Sequence, residues 1–318
     1  MHRIRGVIQH YEWGDTDVIP SLLGQAPDGE PWAEYWLGTH ERGPAMLDDG
    51  RAMVDLTGPL PYLLKVLAAA RPLSLQTHPD AEQAERGHVD GVFGDPFPKP
   101  ELLCAITPVE ALCGIRPAPT TVELFESLGL GDLAERVRIH GPGTLLHDIY
   151  RGRVDTNEMI AACATSPRRE AHWVRELDAM YPGEVSVAAT LLLNLVRLEP
   201  GQALRLDAGN LHAYLHGAGI ELMGASDNVV RGGLTSKPVD VDLLLKIVDP
   251  TPLAAPVLPM ADRYELPDAG VALLRLDAGM THRAVINEIA IDDQGQAVLL
   301  EPGEVLTATT RTWVVTGI

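Results

Sequence analysis

Leu204-Arg205-Leu206-Asp207-Ala208-Gly209 recurs unchanged as Leu274-Arg275-Leu276-Asp277-Ala278-Gly279. In both copies apolar and polar residues alternate and the run ends on glycine, which is the pattern of a half-buried strand entering a turn. A histidine follows each, His212 and His282. Glu199-Pro200-Gly201, just before the first copy, likewise returns as Glu301-Pro302-Gly303. Two copies of a strand, turn and strand unit predict two barrels of the jelly-roll type.

Outward from these copies the chain changes texture twice. Residues 1 to about 117 are rich in Gly, Pro and short apolar runs, such as Val54-Asp55-Leu56 and Tyr62-Leu63-Leu64-Lys65-Val66-Leu67, which predict many short strands. From about 118 to 188 the period becomes helical. Thr120-Thr121-Val122-Glu123 has the form of a capping box opening a helix with Val122, Phe125 and Leu128 on one stripe, and Trp173, Leu177 and Met180 form another. Such stripes read as core. After about 189 strands return, in Leu191 to Val196, Leu204 to Ala208, Val271 to Leu276, Ala297 to Leu300 and Thr312 to Thr316. The fold class expected is mainly β with a helical insertion.

Chemistry concentrates in Leu73-Ser74-Leu75-Gln76-Thr77-His78-Pro79-Asp80. In an extended segment successive side chains alternate faces, so the Gln76 amide oxygen and a His78 ring nitrogen point the same way. That supplies half a metal site. A catalytic zinc takes three or four protein donors and keeps a position open, and the best remaining donors are Glu101 and His212. Glu101 ends Lys99-Pro100-Glu101, where prolines at 96, 98 and 100 forbid a helix and leave an extended, exposed segment. One carboxylate, two imidazoles and an amide oxygen suit zinc and also admit iron, manganese or cobalt.

Longer motifs around these donors resemble the type I mannose-6-phosphate isomerases (phosphomannose isomerases) of the cupin superfamily. Pro61 to Leu67, running on to Leu75-Gln76-Thr77-His78-Pro79, resembles the family's first signature, and Lys99-Pro100-Glu101 its second. The block Gly209 to Val241 resembles the third, with Asn210-Leu211-His212-Ala213-Tyr214, Gly219-Ile220-Glu221-Leu222-Met223 and Ser226-Asp227-Asn228-Val229-Val230-Arg231-Gly232-Gly233-Leu234-Thr235. Tyr11-Glu12-Trp13-Gly14 and Trp32 to His40 agree as well.

The resemblance implies one zinc ion per chain, bound by Gln76, His78, Glu101 and His212. It implies interconversion of mannose 6-phosphate and fructose 6-phosphate, by moving a proton between C1 and C2 through an enediol-like intermediate. Lys65, Lys99, Glu221, Asp227 and Arg231 are implied in or beside the pocket. Arg231 fits an always-charged donor to an oxyanion or phosphate, and Lys99 a proton carrier or oxyanion donor. Ser74, Thr235 and Lys237 are the implied phosphate-binding positions. The implied plan is a catalytic cupin barrel over 1-117 and 189-250, interrupted by a helical insertion over 118-188 and followed by a second barrel over 251-318. Because His212 follows the insertion and the other donors precede it, the catalytic barrel is discontinuous in sequence. His282 lacks partners resembling Gln76 and Glu101, so no second metal is expected. One departure stands out: the family's Asn-His before Lys-Pro-Glu is Phe97-Pro98 here, and proline has no ionisable group for proton transfer. Asp95 survives from that loop without an assigned role.

Composition agrees with a globular enzyme. The 318 residues are 46% hydrophobic, enough for two or three cores. No apolar run approaches the roughly twenty residues of a membrane helix, and the amino terminus leads into no signal-peptide core. Cys104, Cys113 and Cys163 have no zinc-finger spacing and read as reduced thiols of a cytoplasmic protein. A formal charge of -19 opposes nucleic acid as a partner and also opposes a sugar phosphate at long range. The phosphate therefore needs a local cationic pocket, which screening over about 8 Å makes compatible with an acidic exterior. Two other readings compete: an iron-dependent cupin oxygenase, which gives Lys99, Arg231 and Lys237 no task, and a non-catalytic sugar-binding cupin, which Phe97-Pro98 would permit.

Overall fold

Alternation builds the first barrel. The computed structural model describes residues 1–318, and along its strand Tyr62–Ala69 the side chains of Leu63, Lys65 and Leu67 face one way while Leu64, Val66 and Ala68 enter a different core. One wall orders the strands Val257–Leu258, Ala203–Leu206, Glu101–Ala105, His212–Gly224, Tyr62–Ala69, Glu34–Gly38 and Val7–Gln9. The facing wall pairs Val230–Gly233, Leu75–Thr77, the first residues of His212–Gly224, Val109–Ile115 and Leu193–Leu198. His212–Gly224 thus serves both walls, and it turns the corner at Gly217. The register slips after Tyr214, Gly217 takes φ +106°, and a Cβ there would collide with the Pro108 carbonyl oxygen. Only glycine meets both demands.

Helices between Ala118 and Ala189 cover the outside of the second wall. Phe125, Val137, Ile149, Val174 and Leu177 pack there against Leu75, Leu112, Ala213, Leu215 and Val230. The helix Val241–Ile247 joins the same core through Leu244 and Ile247. No helix is long and apolar enough to cross a membrane.

The carboxy-terminal sheet runs Arg263–Leu266, Val271–Leu276, Thr312–Gly317, Glu288–Asp292, Ala297–Leu300, His2–Arg5 and Met46–Leu47, with a separate pair Thr281–Arg283 and Val305–Thr307. Two amino-terminal strands therefore lie in this sheet, while Val257–Leu258 pairs with Ala203 and Leu204 of the first. The sheets do not divide where the sequence texture does. The cause is apolar packing: Ile4 and Leu47 join Tyr62, Leu64 and Ile220 from the first sheet and Leu273, Ile289 and Trp313 from the second in one shared core.

Several local expectations change. Val54-Asp55-Leu56 is not a strand; it forms the short helix Val54–Thr57, ended by Gly58 at φ +67°. Leu191 and Leu192 lie in a 3-10 turn, and the strand begins at Leu193. The helix predicted to open on a capping box starts earlier, at Ala118, behind Pro117. Thr120 and Thr121 consequently sit inside its first turn and donate their hydroxyls to the Pro117 carbonyl at 2.9 and 3.1 Å. A real capping box occurs at Asp80 and Gln83, with reciprocal bonds of 2.7 and 3.0 Å opening the helix Ala81–Val89. It fixes the chain immediately after His78-Pro79.

Candidate metal centre and active site

His78, Glu101 and His212 meet inside the first barrel. His212 opens the long strand that spans both walls, Glu101 opens its neighbour, and His78 follows Leu75–Thr77. Contrary to the expected exposed segment, Lys99 and Glu101 are buried, because the strand from Glu101 runs directly into the sheet. One donor atom from each of the three residues lies within 4.8 Å of the others.

The orientation of both imidazoles follows from their second nitrogens. His78 Nδ1 is 2.7 Å from the Asn228 carbonyl and His212 Nδ1 is 2.8 Å from the Asn210 carbonyl. A carbonyl only accepts, so each Nδ1 carries the proton and each Nε2 keeps a free lone pair. Both Nε2 atoms and Glu101 Oε2 are buried without a hydrogen-bond partner, 3.3 Å separating each Nε2 from a Glu101 oxygen. Buried acceptors without a partner are costly. A cation shared by the three satisfies all of them, so these residues fit a zinc ion, with hydrogen-bonded carbonyls behind the histidines. Burial, then the Lys99 charge, pushes the His78 imidazole down to about 4, which keeps it neutral and ready to ligate. For Glu101 burial pushes the carboxyl up, but the Lys99 charge leads the opposing effects that hold it well below the usual range.

Gln76 stands directly opposite His212 on one side and Arg231 on the other. Facing residues of adjacent strands point to the same side of a sheet, so the amide, the imidazole and the guanidinium share one face. Lys99 Nζ is 2.8 Å from Glu101 Oε1. Lys65 lies between two buried carboxylates, 3.2 Å from Glu34 and 3.4 Å from Glu221, and 5.3 Å from the centre of the Trp36 ring. Burial pulls its ammonium down, yet Glu34 and Glu221 more than compensate and hold it firmly protonated. Glu221 is pushed up by burial, with Lys65 opposing and Glu101 and Glu34 reinforcing the rise. Glu34, fixed also by the Trp36 indole N–H at 2.7 Å, has no role in the sequence reading; a lone glutamate within the otherwise apolar run Trp32 to Leu37 is the one mark it leaves there.

Asp227 lies on the rim, its side chain half exposed, with His40 at 3.3 Å and Arg42 at 2.7 Å. The hydrogen bond from His40 chiefly holds its carboxyl below the ordinary value, against partial burial. Asp95 gains a role here. Its carboxylate accepts from the Ser226 hydroxyl at 2.9 Å, the Asp227 N–H at 3.1 Å and the Asn228 amide at 3.1 Å, and so steadies the residue whose carbonyl holds His78. Phe97 points outward, while its carbonyl accepts from Asn228 at 3.0 Å. The two-stranded register carries Gly233 opposite Leu75, which brings the 234–235 turn to the end of the ladder where Ser74 sits. Lys237 is exposed beyond it, its N–H 3.2 Å from the Thr235 hydroxyl.

The model of the phosphomannose isomerase type I catalytic domain matches residues 51–118. Mannose-6-phosphate isomerase of Rattus norvegicus is 30% identical over 94% of this chain and 86% of its own length. That of Salmonella typhimurium is 30% identical over 96% and 93%. Among solved structures, the apo form of mannose 6-phosphate isomerase from Salmonella typhimurium matches with a TM-score of 0.81 at 25% identity, covering 100% of this chain and 99% of the other. A zinc-bound mannose 6-phosphate isomerase gives 0.79 at 25% identity, with 99% of each chain covered.

Proposed function

The chain belongs to the type I phosphomannose isomerase family, and on that premise we propose that it interconverts mannose 6-phosphate and fructose 6-phosphate with one zinc ion held by Gln76, His78, Glu101 and His212. The observation that carries this reading is the convergence of three buried, partnerless donor atoms on one point. When bound, the cation supplies Lewis acidity, polarising sugar oxygens and steadying the negative charge that grows as a carbon-bound proton leaves.

The chain's own groups divide the remaining work. Lys65, kept protonated by Glu34 and Glu221, is a fixed positive charge facing the pocket and a poor base. Glu221, buried in the pocket 3.4 Å from Lys65 and with its carboxyl pushed up by burial, is our choice as the proton carrier between C1 and C2. Lys99, bound to Glu101, orients that ligand and donates to a sugar oxygen. The ion pairs of the pocket use Lys65, Lys99, His40 and Arg42, which leaves Arg231 and Lys237 to meet substrate anions. We assign Arg231 to the developing oxyanion and Ser74, Thr235 and Lys237 to the phosphate. Asp227, depressed and on the rim, serves as an anchor for His40 and Arg42 more readily than as a base. The barrel around these groups, with 118-188 as its helical cover and the second barrel behind it, is the catalytic unit of this reading.

The test is fructose 6-phosphate formation from mannose 6-phosphate by the zinc-loaded protein, before and after chelation. Turnover that disappears with the metal supports the isomerase. No turnover in the metal-loaded protein rejects it, and dioxygen consumption with bound iron would favour the oxygenase.

A further inference from the structure

The helical insertion grips the turn Gly232-Gly233-Leu234-Thr235 through hydrogen bonds to Gly232 and Leu234, none of them made by a metal donor. Leu234 is the one non-glycine residue of the chain with positive φ, +52°, and its side chain is buried in the helical core. A branched residue holds that left-handed conformation only where its surroundings over-determine it. Three side chains of the insertion do so. The Leu234 N–H donates to Glu184 Oε2 at 2.9 Å and reaches the Ser186 hydroxyl at 3.3 Å, and that hydroxyl donates to the same Glu184 oxygen at 2.8 Å. From the helix Pro142–Tyr150, the Tyr150 hydroxyl donates to the Gly232 carbonyl at 2.6 Å. Gly233, at φ +135°, lies so close to Ser186 that a Cβ would collide with its side chain. Strain, close approach and hydrogen bonding all act on one turn, between Arg231 on its amino-terminal side and Thr235 and Lys237 on the other.

We propose that Tyr150, Glu184 and Ser186 are positioning residues for the sugar's phosphate group: by holding Leu234 left-handed they fix Thr235 and Lys237 opposite Ser74, so the helical insertion sets the preference for phosphorylated over free sugar. This rests on the phosphate-binding reading of Ser74, Thr235 and Lys237. A turn fixed before the ligand arrives loses no conformational freedom on binding, whereas a relaxed turn must be ordered at the expense of affinity. Since the grip acts on the Gly232 carbonyl and the Leu234 N–H, past Arg231 and towards Thr235 and Lys237, its loss acts on binding more than on the chemical step.

The experiment uses the full zinc-loaded chain, mannose 6-phosphate as substrate and inorganic phosphate as competitive inhibitor. Glu184→Ala is expected to raise both KM and the phosphate inhibition constant by about tenfold, the effect of losing one charge-assisted hydrogen bond. Its kcat and zinc content stay within about twofold. Tyr150→Phe, which keeps the ring packing, shifts the same two constants upward by a smaller factor, and Glu184→Gln, which keeps an acceptor oxygen, restores most of the affinity. If the Ala variant does not fold, Tyr150→Phe alone decides. Should Lys237→Ala weaken phosphate while Glu184→Ala and Tyr150→Phe leave it within twofold, the positioning role is wrong and the phosphate pocket stands. A Lys237→Ala variant with unchanged phosphate inhibition overturns both.

Discussion

The two barrels carry the same hexapeptide and a histidine after it, and they treat that histidine in opposite ways. In the second barrel His282 Nε2 lies 2.6 Å from Glu288 Oε2, while the other Glu288 oxygen accepts from the Thr316 hydroxyl at 2.6 Å and the Val285 N–H at 3.0 Å. His282 Nε2 and both Glu288 oxygens thus have protein partners. In the first barrel His212 Nε2 lies buried with His78 Nε2 and Glu101 Oε2, and none of the three has a hydrogen-bond partner in the protein. Three acceptors converging on one point cost stability unless a cation completes them, because unsatisfied buried groups bring no local return. The His282–Glu288 pair is closed on itself; the His78–Glu101–His212 cluster is open to a cation.

The sharpest way to break this contrast is to remove each histidine in turn. His212→Ala should lose bound zinc and lower kcat/KM by at least about a thousandfold, whereas His282→Ala should keep both within about twofold and destabilise the fold by about 1–3 kcal/mol, since the buried Glu288 Oε2 loses its imidazole partner. Metal analysis, turnover and urea unfolding of the two variants decide it. Loss of zinc in His282→Ala would contradict the division between barrels.

The buried charges of the first barrel give the next effect. Lys65→Met strands Glu34 and Glu221 without their shared cation, and unfolding measurements should show a loss of about 3–5 kcal/mol. Lys237→Met, on an exposed position, should stay within about 0.5 kcal/mol. Equal stabilities for the two variants would mean that the Lys65 triad is not the buried network described here.

Support behind the ligands comes third. Asp95→Ala releases the turn whose Asn228 carbonyl holds His78 Nδ1, and zinc competition titrations should show affinity lower by about 10–100-fold. An unchanged affinity would mean that His78 is oriented without that turn.

The smallest effect concerns pH. In the metal-free protein burial, then the Lys99 charge, pushes the His78 imidazole down to about 4, against about 6.5 in an unfolded chain. Between these values the unfolded state binds the proton and the native state does not. This contribution to stability is therefore present above pH 6.5, declines as pH falls towards 4 and levels off below it. Urea midpoints of metal-free wild type and His78→Gln should converge over that window; parallel curves would contradict the burial of a neutral imidazole.

What the sequence made legible was whatever short spacing encodes. Gln76 and His78 two apart on an extended segment, the echo around His212 and His282, and the switch to helical period near 118 all depend on neighbours along the chain. The strands that join distant partners were not legible. Nothing in His2–Arg5 or Met46–Leu47 records that they complete the carboxy-terminal sheet, because that choice is made by the core that Ile4 and Leu47 share with Trp313 and Ile289. Glu34 and Asp95 escaped for a related reason: each acts through a residue far away in sequence, Lys65 for one and the 226–228 turn for the other. The capping box failed at Thr120 because Pro117 and Pro119 start the helix earlier, a local signal that outranked the threonines.

The most direct test is an anomalous scattering map at the zinc edge from crystals of the zinc-loaded protein. One strong peak, within bonding reach of His78 Nε2, His212 Nε2, a Glu101 oxygen and the Gln76 amide oxygen, with none at His282 and Glu288, is the predicted result. A peak elsewhere, or a zinc that leaves Glu101 or His212 out of its coordination, would contradict the account.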